Sequence, residues 1–278
     1  LSTQKINLCK WRLISFLFLF TIGANEIYSQ DCKPKSFPFK NGEQIDYDVF
    51  YNMGKLWVPA GKVRFSVKDS IFKGQDCFYF NGKGKSLKSY DWFFKVRDIY
   101  SSVVKKSNFK PQKFTRNVTE GEFKLYYDYT FDTATEKAKV IEDKKDDSKF
   151  SIIDFPSCTY DVMTSVYYAR TLDYTNLNIN DTIPISMMVD KEIYDSLFMR
   201  YLGKEIIKDQ YGKKYHCLII SPLLIEGTLF KEGEFMKIYI TDDLNRVPIY
   251  IEAEILIGSV KGYVKSIKNI KHPLNTID

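Results

Sequence analysis

Alternation of apolar and polar residues with a period of two, broken at short intervals by turn formers, is what most limits the folds open to this chain. It is clearest over residues 234–267. Met236, Ile238 and Ile240 fall on one side of the segment and Lys237, Tyr239 and Thr241 on the other, the signature of a strand with one buried face. The polar run Asp242-Asp243-Leu244-Asn245-Arg246 follows, and beyond it Ile249, Ile251, Ala253, Ile255 and Ile257 again share one side. Two such strands about a short polar loop predict a hairpin. Gly258-Ser259 interrupts the pattern, and Val260, Gly262 and Val264 then alternate with Lys261, Tyr263 and Lys265. The C-terminal region therefore reads as an antiparallel meander.

The same rhythm runs upstream. Ile45, Tyr47, Val49 and Tyr51 alternate with Gln44, Asp46, Asp48 and Phe50, and Asn52-Met53-Gly54 offers a turn into a segment ending at Val58-Pro59-Ala60-Gly61. Strands are predicted over 62–68, 77–81, 96–105, 122–130 and 138–141, with the charge run 142–149 as a solvated hairpin end or a mobile loop. One helix stands out. With Thr159 as its candidate N-cap, Val162, Val166 and Ala169 together with Met163, Tyr167 and Arg170 recur at three-and-four spacing, which predicts a helix over 160–171 packed on a sheet. Strands resume over 183–189, 197–209 and 214–224. No linker divides these elements, so residues 31–278 are expected to form a single mainly β domain, an antiparallel curved sheet or half-closed barrel wrapped around one helix.

The N-terminus carries the most specific functional signal. Lys5, Lys10 and Arg12 precede the apolar run Leu13-Ile14-Ser15-Phe16-Leu17-Phe18-Leu19-Phe20-Thr21-Ile22, a basic stretch and an apolar stretch in the order of a signal peptide. Residues 1–30 are expected to be removed on export, with cleavage after Ala24, Ser29 or Gln30 and no permanent transmembrane anchor left behind. The expected location is the periplasm or the outer envelope. The formal charge of +6 includes those three cations, and what remains is too dispersed to indicate nucleic acid.

Export bears on the cysteines. Cys32, Cys77, Cys158 and Cys217 lie in the mature segment, where an oxidising compartment allows one or two disulfides in three complete connectivities. Cys77 and Cys217, each inside an apolar strand, also read as buried thiols. No Cys-x-x-Cys occurs, which disfavours a zinc ribbon or a thioredoxin-like site.

Four stretches carry a family resemblance. Gly42-Glu43 opening the first strand, Lys95-Val96-Arg97-Asp98-Ile99-Tyr100-Ser101-Ser102, Asp161 through Tyr167-Tyr168-Ala169-Arg170, and Thr241-Asp242-Asp243-Leu244-Asn245-Arg246-Val247-Pro248 together resemble a bacterial exported family, domain-of-unknown-function family 3108. The resemblance covers roughly 39–270. It implies an exported envelope protein with a β-rich, partly closed barrel and brings no activity with it.

Chemistry is sparse by comparison. Gly84-Lys85-Ser86 imitates the end of a phosphate-binding loop, but Tyr79 stands where the first glycine is required, so no nucleotide is expected. His216 and Cys217 are adjacent and fall on opposite faces of a strand, and His272 lies in the tail; neither a metal site nor a cofactor is expected. Asp91, Asp98, Asp161, Asp242 and Glu252 are the acids that a carboxylate-dependent hydrolase of envelope carbohydrate would draw on. Beside them Arg97, Arg170 and Arg246 are placed to form structural ion pairs. The leading expectation is a noncatalytic envelope protein that holds an apolar or amphipathic ligand, a lipid or a glycan, or a protein partner, in its curved sheet. The alternatives are the hydrolase and a purely structural role.

Overall fold

The computed structural model describes residues 32–277 except 54–55, 93, 144, 226–231 and 256–257; the expected signal peptide, Cys9, Gly54 and Ile257 lie outside them. The alternating segments form strands throughout. In chain order these are β1 (Gln44–Met53), β2 (Leu56–Phe72), β3 (Gln75–Ser86), β4 (Arg97–Lys105), β5 (Pro111–Glu120), β6 (Phe123–Asp132), β7 (Lys137–Ile141), β8 (Phe150–Asp154) and β9 (Thr159–Tyr160). After the helix α1 (Val162–Ala169) come β10 (Thr182–Val189), β11 (Glu192–Lys208), β12 (Lys214–Pro222), β13 (Met236–Thr241), β14 (Pro248–Glu254), β15 (Ser259–Lys268) and β16 (Thr276–Ile277).

All the strands belong to one sheet. Two meanders, β1 to β8 and β15 back to β9, stand side by side through β1 and β15, and β16 adds to β12. Every pairing is antiparallel except the short one between β9 and β10, so the sheet is mixed. Its path ends at β8 and β9, which do not pair with each other among the described residues. Those two end strands are nevertheless consecutive in the chain, separated only by Phe155, Pro156, Ser157 and Cys158.

Strand bounds depart from the sequence reading where tertiary pairing overrides turn residues. β2 runs through Pro59 and Gly61, because Pro59 sits at a register shift in the β1 pairing and beyond the end of β3, whose last partner pair is Gly61–Ser86. A missing N–H costs little there. β3 likewise continues through the glycine-lysine string to Ser86. β5 and β8 were not resolved as strands by the pattern; β5 carries Lys113, Thr115, Arg116 and Asn117, too polar for a clear alternation.

The helix is shorter than the spacing predicts, and its N-cap is Asp161 rather than Thr159. The Asp161 carboxylate accepts from the Thr164 backbone N–H (2.9 Å) and hydroxyl (2.6 Å), which satisfies a donor that the first turn would otherwise leave open. Ser102 of β4 also donates to it. Met163, Thr164, Ser165, Tyr167 and Tyr168 are buried, whereas Val166, in the predicted stripe, is 37% exposed. Tyr167 stacks on Phe80 with ring centres 3.9 Å apart. Gly82 of β3 makes room for Met163 of the helix, since a Cβ there would fall 3.1 Å from the Met163 sulfur. Phe39, Phe80, Phe109 and Tyr129 fill the surrounding core; a second core gathers Tyr47, Cys217, Ile249 and Val264.

At the other end of α1, Arg170 is fully enclosed. Its guanidinium donates to Glu43 at 2.5 and 3.0 Å and to the Asn245 carbonyl at 3.2 and 2.9 Å. The Asn245 side chain in turn donates to the His272 and Pro273 carbonyls. All four stretches that carry the family resemblance thus meet at the ends of one helix, 95–102 through Ser102 at Asp161, and Glu43 and Asn245 at Arg170.

Candidate functional site

Register builds the candidate site. β1 to β4 align Asp48, Lys62, Lys85 and Arg97 as one transverse row, and Asp46, Arg64, Lys83 and Ile99 as another. Residues two apart on a strand share a face, so both rows stand on the same side of the sheet. Five cations therefore occupy adjoining positions there, with Lys62 directly opposite Lys85 and Lys85 directly opposite Arg97. Like charges at directly opposed positions are destabilising.

Acids answer only part of this charge. Asp46 accepts from Arg64 (2.6 Å) and from the Ser266 hydroxyl (3.0 Å). Burial pushes its carboxyl up, but these hydrogen bonds and one from Gln44 outweigh burial and hold it below the ordinary value. Asp91 takes Arg97 at 2.5 Å, and Asp48 takes Lys265 at 2.9 Å. Lys62, Lys83 and Lys85 have no carboxylate partner among the described residues. The rows border a groove of about 660 Å³. Tyr211, in the turn between β11 and β12, lines it as well, and the neighbouring Gln210 amide donates to Asp48 at 3.4 Å.

Asp98 is the one acid of the predicted five that borders this groove. It lies between the two rows in sequence, so its side chain leaves from the other face. Burial, and next the charge of Glu120, raise its carboxyl to about 7, against a backbone hydrogen bond from Thr119. Its carboxyl is also hydrogen-bonded to that of Glu120, which is 6% exposed.

The other predicted residues are dispersed. Asp91 and Arg97 pair beside the groove. Asp161 and Arg170 cap the two ends of α1. Asp242 holds Lys204 at 2.7 Å and Arg246 at 3.7 Å, with the Arg246 guanidinium 5.3 Å from the Tyr174 ring. Glu252 accepts from the Tyr250 hydroxyl at 3.0 Å and faces Lys261 at 3.7 Å. Cys32 is joined to Cys158, and Cys77 and Cys217 are buried free thiols. Two carboxyls that would work on a glycosidic bond must stand apart with the sugar between them. Asp98 and Glu120 touch instead, and each of the remaining acids is held by its own partner elsewhere. No group of three or more metal-binding side chains occurs among the described residues.

The groove lysines were missed by sequence reasoning. Their signal was present in the alternation Lys83-Gly84-Lys85 against Lys62-Val63-Arg64, yet only the register of β2 on β3 shows that the charges face one another.

A large, open, mainly β sheet carrying one short helix and a cationic face defines the class of protein. The sequence matches the family described as Protein of unknown function (DUF3108) over residues 46–265, and the chain belongs to that family. Among solved structures it is similar to a β-barrel-like protein of the domain of unknown function DUF1849 from Brucella abortus, with a TM-score of 0.56, 8% identity, and coverage of 85% of this chain and 100% of that one. A candidate lipoprotein from Parabacteroides distasonis aligns over 86% of this chain and 100% of its own at 10% identity, with a TM-score of 0.27. Comparison with curated proteins gives no match.

Proposed function

We propose that this is an exported, noncatalytic envelope protein that binds the anionic group of a lipid or glycan in the groove over β1 to β4. The observation that carries the reading is the block of Lys62, Arg64, Lys83, Lys85 and Arg97 at opposed ladder positions. Folding gains nothing from such a block, whereas an anion bound among the lysines that lack acid partners relieves the repulsion and gains charge-assisted hydrogen bonds. The aliphatic lysine stems give the groove apolar walls, which suits an amphipathic ligand. Export is supported by the basic and apolar order of residues 1–30 and by the cysteine pair; no helix among the described residues is long and apolar enough to cross a membrane.

In this reading the sheet curls around α1 as a half-closed barrel. Two observations support it. The end strands β8 and β9 are four residues apart in the chain, and α1 touches β3 and β4 of one meander and β9 and β10 of the other. The aromatic core fills the interior against α1, so the ligand site of the curved sheet is its charged face rather than an apolar lumen.

Calorimetric titration with dodecyl phosphate, and with dodecyl maltoside as the neutral control, tests the binding. Dodecyl phosphate is expected to bind, more weakly as salt rises, and the Lys83→Glu/Lys85→Glu variant is expected to lose it. Equal binding of the two detergents, or an unaffected variant, would rule the groove out.

A further inference from the structure

We infer that the end of the sheet marked by the start of β2, by Trp92 and Phe94 ahead of β4, and by the β5–β6 turn docks on an anionic lipid surface. This surface is separate from the groove and does not depend on it. In an antiparallel succession the starts of β2, β4 and β6 lie at the same end of the sheet. The closing pairs Met53–Leu56 and Glu120–Phe123 mark two of the tips. Each tip presents large apolar side chains to solvent. Leu56 is 70% exposed, Trp92 in the β3–β4 connection 83%, Phe94 42% and Phe123 41%. A soluble protein leaves scattered apolar residues exposed, but a set gathered on neighbouring turns marks an interaction surface.

The residues leading into β4 are also fixed to the β5–β6 turn. The Gly121 N–H donates to the Lys95 carbonyl at 2.8 Å. Phe94 lies so close over Gly121 that a Cβ there would come 3.0 Å from the ring, and the positive φ of 63° suits glycine at this turn. The aromatic side chains are thus held by ordered backbone.

Charge decides between a lipid surface and a protein. Lys88, Lys95 and Lys124 are exposed around these tips, and none has a carboxylate partner among the described residues. Lys261 stands 4.4 Å from the Trp57 ring but is paired with Glu252 at 3.7 Å and adds no unpaired charge. Against them, Glu122 is the exposed acid of the β5–β6 turn and Glu254 an exposed acid at the end of β14, and Asp91 is taken by Arg97. Tryptophan and phenylalanine flanked by unpaired lysines match the headgroup region of an anionic bilayer, where rings sit at the boundary and ammonium groups meet phosphates.

The full chain carries three tryptophans, and the double substitution Trp11→Phe/Trp57→Phe leaves Trp92 as the only reporter. With vesicles of brominated phosphatidylglycerol, Trp92 emission is expected to shift to the blue and to be quenched. Brominated phosphatidylcholine vesicles are expected to leave it unchanged, as is phosphatidylglycerol after Lys88→Glu/Lys95→Glu/Lys124→Glu in a variant with unaltered circular dichroism. Because the readout is local to Trp92, attachment through residues 1–30 cannot imitate it. Absence of quenching on either lipid, or equal quenching on both, overturns the inference. The Lys83→Glu/Lys85→Glu variant is expected to retain the quenching, and its loss there would overturn the separateness of the two surfaces. A failed dodecyl phosphate titration beside a positive Trp92 result would remove the groove reading and leave this one standing.

Discussion

Arg170 and Glu43, 127 residues apart in sequence, meet as a bidentate ion pair with side chains 3% and 1% exposed. The pair ties the end of α1 to the entry of β1. Removing one partner strands a charge in the core, so Glu43→Gln or Arg170→Met is expected to cost about 3–5 kcal/mol of stability. Replacing both by apolar residues, as Glu43→Leu/Arg170→Met, is expected to cost less than either single change, apart from the loss of the Asn245 contact. Urea denaturation of the three variants checks this, and additive single effects would contradict it.

The Cys32–Cys158 bond closes a loop with a sequence separation of 126. By the chain-entropy account a loop of this size stabilises by about 4–5 kcal/mol. Cys158→Ser, or reductant, is therefore expected to lower the denaturation midpoint sharply. Buried Cys77 and Cys217 are expected to resist alkylation until the chain unfolds, and peptide-resolved alkylation by mass spectrometry distinguishes the sites. Rapid native labelling at Cys77 would argue against its enclosure.

Much of the fold was legible because period-two alternation survives in strands with one buried face. The meander of β13 to β15 is the clearest instance. What escaped was set by long-range partners. The N-cap moved from Thr159 to Asp161 because a carboxylate can collect Ser102 from β4 as well as the Thr164 donors, which no local pattern displays. β5 was hidden by residues such as Arg116, whose guanidinium pairs with Asp190 of the distant β10–β11 turn. The groove was illegible for the same reason: Lys62, Lys85 and Arg97 form a row only once three strands are in register. The acids chosen from sequence were individually reasonable, but each found its own structural partner.

Asp98 and Asp161 predict a pH dependence. Burial raises the first to about 7, aided by Glu120, and the second to about 6. The native state thus keeps protons that the unfolded chain has released. For these two groups, stability is fully present below the ordinary carboxylate range and is lost as pH rises from about 4 toward 7. Carboxylates held low, such as Asp46, change stability only in more acidic solution. The urea midpoint is expected to fall between about pH 4 and about pH 7, and Asp98→Asn is expected to flatten the fall. An identical slope in the variant would assign it to other groups.

The groove sets ligand binding against stability, which gives the most discriminating test of the lysine rows. Lys85 stands opposite Lys62 on one side and Arg97 on the other, and opposed charges of one sign cost roughly 0.2–1 kcal/mol per pair. Lys85→Gln removes two such contacts while keeping a similar stem, so the ligand-free protein is expected to become more stable, and more so at low salt, where screening is weakest. The same substitution is expected to weaken dodecyl phosphate binding. A purely structural role for the sheet face predicts the first effect without the second. If Lys85→Gln instead lowers stability with no ligand present, the lysine is held by favourable contacts and the charge-repulsion argument for the groove fails.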